Sequence, residues 1–144
     1  MNLEVAVRSK HENISSTTDL YIVDTLGELN MYFNEAALVF MGGSLIPRGG
    51  HNILEPANYG KCILVGTHTE NFTSEIADLL EADAILQVKD NHELGIHLVQ
   101  LLKNDRQREE YGKNAANFMA GQAGILDRYH KQLTAIVDAA DRSI

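Results

Sequence analysis

A chain of 144 residues, 44% hydrophobic and 22% charged, has the composition of an ordinary globular domain and can bury about two thirds of the surface its unfolded form exposes. A net charge of −8 with no segregated basic cluster argues against nucleic acid as a partner. No apolar run approaches the ~18 residues of a membrane span, nothing reads as a secretory leader, and the single cysteine, Cys62, excludes a disulfide within the chain.

The pattern at residues 3–8 alternates and reads as a strand, followed by a polar stretch without periodicity. A second strand is expected at 19–23, closed by Asp24-Thr25. This pair should cap a short helix over 26–34, with Leu29 and Phe33 on one face. The apolar run 36–41 reads as a buried parallel strand. Asn52 is then expected to cap a short helix that Gly60 ends, and 61–65 to return as a fourth strand carrying Cys62 as a small buried hydrophobe. Phe72, Ile76, Leu79 and Leu80 space an amphipathic helix, and 84–88 is the fifth strand. Asp90-Asn91 caps a helix bearing Leu94, Leu98, Leu101 and Leu102. Two more helices follow, one with Tyr111, Ala115, Phe118 and Met119, the last with Leu126, Tyr129, Leu133, Ile136 and Val137. Five strands alternating with helices predict an α/β fold, a doubly wound parallel, Rossmann-like sheet with a helical carboxyl-terminal tail, in one domain over 1–144.

In such a sheet the strand-to-helix junctions share the carboxyl edge, where ligands bind. One junction is Asp24-Thr25-Leu26-Gly27-Glu28-Leu29, where Gly27 lacks the Cβ that would obstruct a phosphate at the helix start; read alone, it is equally a plain Thr cap. The other runs Gly42-Gly43-Ser44-Leu45-Ile46-Pro47-Arg48-Gly49-Gly50-His51-Asn52-Ile53-Leu54-Glu55-Pro56 and is longer than a simple turn needs. Its glycines permit positive φ, and Ser44 and Asn52 can hydrogen-bond. Glu55 offers an acceptor pair for vicinal ribose hydroxyls, and Arg48 and His51 can face an anionic group; read alone, such a loop is also a plain turn, Arg48 a solvated side chain and His51 a brace for a neighbouring carbonyl.

Other chemistries lack their signatures. The chain has no G-x-G-x-x-G, no P-loop lysine and no G-x-S-x-G elbow. His92 and His97 stand five residues apart, about 140° around a helix, so they do not share a metal from one face, and no metal is expected.

At Asp24-Thr25-Leu26-Gly27-Glu28-Leu29, Gly42-Gly43-Ser44 and Gly49-Gly50-His51-Asn52-Ile53-Leu54-Glu55-Pro56, with Gly66-Thr67-His68-Thr69-Glu70-Asn71-Phe72 a looser echo, the chain resembles the carboxyl-terminal part of the 3-deoxy-D-manno-octulosonic acid (Kdo) transferases. These are Gram-negative enzymes of the GT-B glycosyltransferase fold. Leu26 replaces the family's usual Met, a volume-conserving exchange. The resemblance implies transfer of Kdo from CMP-Kdo to a lipid A precursor at the cytoplasmic face of the inner membrane, without a cofactor or a metal at the donor. Carried over by position, Leu26, Gly27 and Glu28, together with Asn52, Ile53, Leu54 and Glu55, contact the CMP moiety. Ser44, Gly50 and His51 join them as substrate-binding candidates. The first strands, a His-Pro donor segment, the acceptor domain, the catalytic carboxylate and the membrane-facing surface are expected outside this chain, so no catalytic residue is expected within it. Alternatives from the same residues are another GT-B nucleotide-sugar enzyme, an epimerase or a UDP-sugar transferase, or a non-catalytic nucleotide-binding module.

Overall fold

The computed structural model describes residues 2–141, with side chains over 2–123. The chain forms two compact units, residues 1–35 and 36–144. In the first, β1 (Val5–Val7) and β2 (Leu20–Ile22) pair in parallel with Val5 opposite Leu20 and Val7 opposite Ile22, and a 3₁₀ turn, Arg8–Lys10, leaves β1 directly. α1 follows at Leu29–Glu35. The buried apolar side chains of this unit are Ala6 and Phe33, and the rings of Tyr21 and Tyr32 lie 6.1 Å apart at 47°. Val5, Leu20 and Ile22 are about half exposed on the shared face that the parallel register gives them.

The second unit is built on a parallel sheet of β3 (Val39–Phe40), β4 (Ile63–Val65) and β5 (Ile85–Gln87), in the order β3-β4-β5. Its helices are α2 (Leu54–Asn58), α3 (Thr73–Glu81), α4 (Asn91–Leu102) and α5 (Asp105–Asp141). β4 is central and wholly buried, and its alternation divides the core into two layers. Ile63 and Val65 pack with Ile53 and Ala57 of the α2 region, Ile76 and Leu79 of α3, and Ala115 of α5. Cys62 and Leu64 face the other way, toward Leu94, Leu98 and Leu101 of α4. Burying each such aliphatic side chain stabilises by roughly 1.5–3 kcal/mol relative to leaving it exposed, which is why a continuous apolar run becomes the middle strand. Burial also pushes the Cys62 thiol up to about 11.

Among the described residues, five strands form where the apolar runs lie, every pairing is parallel, and helices cover both faces of the three-stranded sheet, as an α/β reading expects. The strands hydrogen-bond as two sheets, of two and three strands, rather than as one of five. The tail also departs from expectation, since α5 runs unbroken through Gly121 and Gly124 where two helices are expected. The side chains of Leu126, Tyr129, Leu133, Ile136 and Val137 lie outside the described residues. At the start of α4, Asp90 accepts from Glu93 N at 2.8 Å while Glu93 accepts from Lys89 N at 2.6 Å, a reciprocal cap that fits the expected boundary. Among the described residues, no helix is long and apolar enough to cross a membrane.

Candidate functional site

In the second unit, the loop between β3 and α2 is fastened from below by one buried hydroxyl. Ser44 is wholly buried, and its Oγ donates to Met41 O at 2.5 Å and accepts from Gly66 N at 2.8 Å, while its carbonyl accepts from His68 N at 2.8 Å. Ser44 thus ties the loop after β3 to the loop after β4. Gln87 Nε2, at the end of β5, donates to Gly66 O at 3.2 Å and extends the tie across the sheet. A Cβ on Gly66 would stand 2.1 Å from Ser44 O, so the close approach itself demands glycine there.

The upper part of the loop turns on Gly43, Gly49 and Gly50, all at positive φ. Asn71 supports it, donating from its backbone N to Gly49 O at 3.3 Å and from Nδ2 to Gly50 O at 3.4 Å. The His51 ring lies against Gly42 and Gly43, within 4 Å of where their Cβ atoms would be, and His51 and Arg48 are both exposed. Asn52 Oδ1 accepts from Leu54 N at 3.1 Å and Asn52 Nδ2 donates to Glu55 Oε1 at 3.0 Å, which holds an exposed amide and an exposed carboxylate together at the start of α2. α2 begins at Leu54, with Ile53 in the cap position, so Asn52 acts one residue earlier than expected. Ile53 is fully buried in the core and offers a ligand only its backbone. Leu54 is half-buried against the same core.

In the first unit, the junction after β2 is held from the segment after β1. Arg8 Nε and Nη2 donate to the two oxygens of Glu28 at 2.9 and 2.7 Å, and Thr25 Oγ1 donates to Glu28 as well. Ser9 N and Oγ donate to the two oxygens of Asp24 at 2.9 and 2.6 Å. The helix expected over 26–34 therefore starts only at Leu29, because Gly27 takes φ +80° in a turn and Thr25 spends its hydroxyl on Glu28 rather than on a helix N–H. Leu26 stands fully exposed at the tip. Sequence reading assigns no role to Arg8, Ser9, Asn71 and Gln87. The available signal was topological: parallel strands place their following segments on one edge, so residues just past each strand end are neighbours there.

The Arg8 hydrogen bonds first, and that of Thr25 second, hold the Glu28 carboxyl at about 2 against an ordinary 4.5. A carboxyl depressed in the folded state stabilises it above the unfolded value and ceases to do so as pH falls, here from 4.5 toward about 2. Ser9 likewise holds Asp24 below its usual range. In a carbon-detected NMR titration, the Glu28 carboxyl should titrate near the lower figure, with the backbone shifts of 24–28 following it. A Glu28 midpoint at the ordinary value would contradict the ion pair.

No protein-family model matches the chain. The 3-deoxy-D-manno-octulosonic acid transferase of Rickettsia bellii (strain RML369-C) is 36% identical over 135 residues, covering 92% of this chain and 32% of that protein. That of Rickettsia conorii (strain ATCC VR-613 / Malish 7) is 34% identical over 135 residues, covering 92% of this chain and 29% of its own length. The chain thus spans under a third of the curated relatives it matches. Among solved structures, the C-terminal CMP-Kdo binding domain of WaaA from Acinetobacter baumannii superposes with a TM-score of 0.78 at 29% identity, over 82% of this chain and 62% of that one.

Proposed function

We propose that this chain, homologous over most of its length to the carboxyl-terminal part of the 3-deoxy-D-manno-octulosonic acid transferases, is the donor-binding portion of such a glycosyltransferase and holds CMP-Kdo. The observation that carries the reading is the exposed Asn52–Glu55 pair at the end of a braced glycine loop, in a chain that superposes on a CMP-Kdo binding domain. Glu55 accepts from ribose hydroxyls, as a carboxylate suits vicinal donors. The backbone at Gly42, Gly43 and Gly50 allows close approach, and His51 and Arg48 face the donor's anionic groups. Ser44 and Ile53 serve from beneath, the first by fixing the loop and the second by anchoring α2. The Leu26–Gly27 turn is the other donor contact. The acceptor is a lipid A precursor, and acceptor binding, the catalytic carboxylate and attachment to the inner membrane belong to parts of the enzyme outside this sequence. Kdo transfer to lipid A places the full protein in lipopolysaccharide synthesis.

Calorimetric titration of the 144-residue chain with CMP, UMP and UDP tests this directly. CMP should bind most tightly. Preference for UDP would favour a UDP-sugar enzyme, and no nucleotide binding at all would refute the reading. Glu55→Ala should weaken CMP binding by about 1.5–3 kcal/mol, the worth of a hydrogen bond to a charged group. Because Glu55 is exposed, the thermal midpoint should stay where it is. Wild-type affinity in the folded variant would remove Glu55 from the site.

A further inference from the structure

β1 and β2 are parallel and in register, so the segments leaving their carboxyl ends begin side by side. Arg8 and Ser9 leave β1, and each takes both oxygens of a carboxylate on the other segment, Arg8 those of Glu28 and Ser9 those of Asp24. Between the two gripped carboxylates lie only Thr25, Leu26 and Gly27. Thr25 is itself bonded to Glu28, Gly27 adopts a left-handed φ, and Leu26 is fully exposed. Turns at a domain surface are ordinarily polar and loosely held. Here four hydrogen bonds from one neighbouring segment fix the backbone on both sides of an apolar tip that is fully exposed among the described residues.

We propose that Arg8 is a positioning residue of the donor site, setting the Leu26–Gly27 turn through its two-pronged grip on Glu28, with Ser9 setting the other end of the turn through Asp24. The inference rests on the donor-binding reading above. It assigns Glu28 a bracing role toward the turn and leaves the backbone of Gly27 and the side chain of Leu26 as the surfaces that meet the nucleotide. Arg8 does not act as a direct phosphate ligand on this view, since its planar fork is already matched to a carboxylate, a geometry that a lysine's single ammonium does not reproduce.

The test uses the 144-residue chain with Arg8→Ala, Arg8→Lys, Glu28→Gln and the Arg8→Ala/Glu28→Gln double variant. CMP affinity is measured alongside the ligand-free amide shifts of Leu26 and Gly27. Arg8→Ala and Glu28→Gln should each lose about tenfold or more in CMP affinity, and the double variant should lose no more than the weaker-binding single, because both changes undo one grip. The Leu26 and Gly27 amides should move without ligand while those of β4 stay in place. Arg8→Lys keeps the charge and most of the volume, so it remains informative if Arg8→Ala fails to fold, and it should fall between wild type and Glu28→Gln. Losses that multiply in the double variant would make Arg8 a direct ligand and overturn the proposal. So would unmoved Leu26 and Gly27 amides, or undiminished CMP binding in Arg8→Lys. Failure of the unaltered chain to bind CMP would overturn the donor reading and this proposal with it, an outcome distinct from normal wild-type binding that the variants leave intact.

Discussion

Replacing Ile53 by alanine should destabilise the chain by about 2–5 kcal/mol, the range for deleting a buried aliphatic side chain that leaves a cavity. Ile53 is fully buried between the glycine loop and α2, packed with Ile63, Val65 and Ala57. α2 has only five residues, too few to hold itself together, so its place depends on this anchor. The loss is a large fraction of the 5–15 kcal/mol that holds a typical domain folded. Urea denaturation should show a lower midpoint with an unchanged slope. CMP affinity, measured at a temperature where the variant is folded, should fall as well, because Asn52 and Glu55 lose their support. A variant as stable as wild type would mean that the side chain is not in the core.

Gly66→Ala should have a comparable or larger effect from the opposite cause. The added methyl would lie 2.1 Å from Ser44 O and 2.4 Å from Ser44 C, which are backbone atoms and not the free end of a side chain. Either β4 or the glycine loop must move, and the Gly66 N to Ser44 Oγ and Gln87 Nε2 to Gly66 O bonds break with the movement. Overpacking costs about 1–3 kcal/mol and sometimes more, and a stranded buried N–H adds about 1–3 kcal/mol. A loss near 3 kcal/mol should lower the thermal midpoint by on the order of 10 °C in a chain of this size. The variant should also lose CMP affinity while folded, since the loop is the part free to yield. Normal melting together with normal binding would show that the two loops are not in the contact described.

How much of this was legible beforehand depended on whether a signal was local. The strands were, because an apolar run such as Cys62-Ile63-Leu64-Val65 suits only the middle of a sheet covered on both faces. The cap of α4 was legible because its partners are local: Asp90 accepts from Glu93 N in the first turn, and Glu93 reaches back to Lys89 N just before the helix. The start of α1 was not. Thr25 and Glu28 look like a cap and a first-turn acid, but Arg8, twenty residues back in the chain, takes the carboxylate and pulls the turn out of the helix. Ser44 is a candidate in the sequence because it can hydrogen-bond, and its burial shows what it bonds: its partners, Met41 O and Gly66 N, are backbone groups that no side-chain pattern announces. The division of the strands into two sheets likewise depends on pairing between segments, which periodicity along each segment does not encode.

Cys62 lies on the strand side of the α4 layer with 2% of its surface exposed, and it is the chain's single thiol. Its high pKa leaves little thiolate at neutral pH, and the packed helix keeps reagents from the sulfur, so alkylation must wait for the sheet to open. The rate at which a maleimide or a disulfide reagent labels the folded protein thus becomes a clock for separation of α4 and the start of α5 from the β3-β4-β5 sheet. Because the site's loops hang from the other end of the same strands, slowing of that clock by added CMP would register ligand at a distance, in a chain that contains no tryptophan to report it.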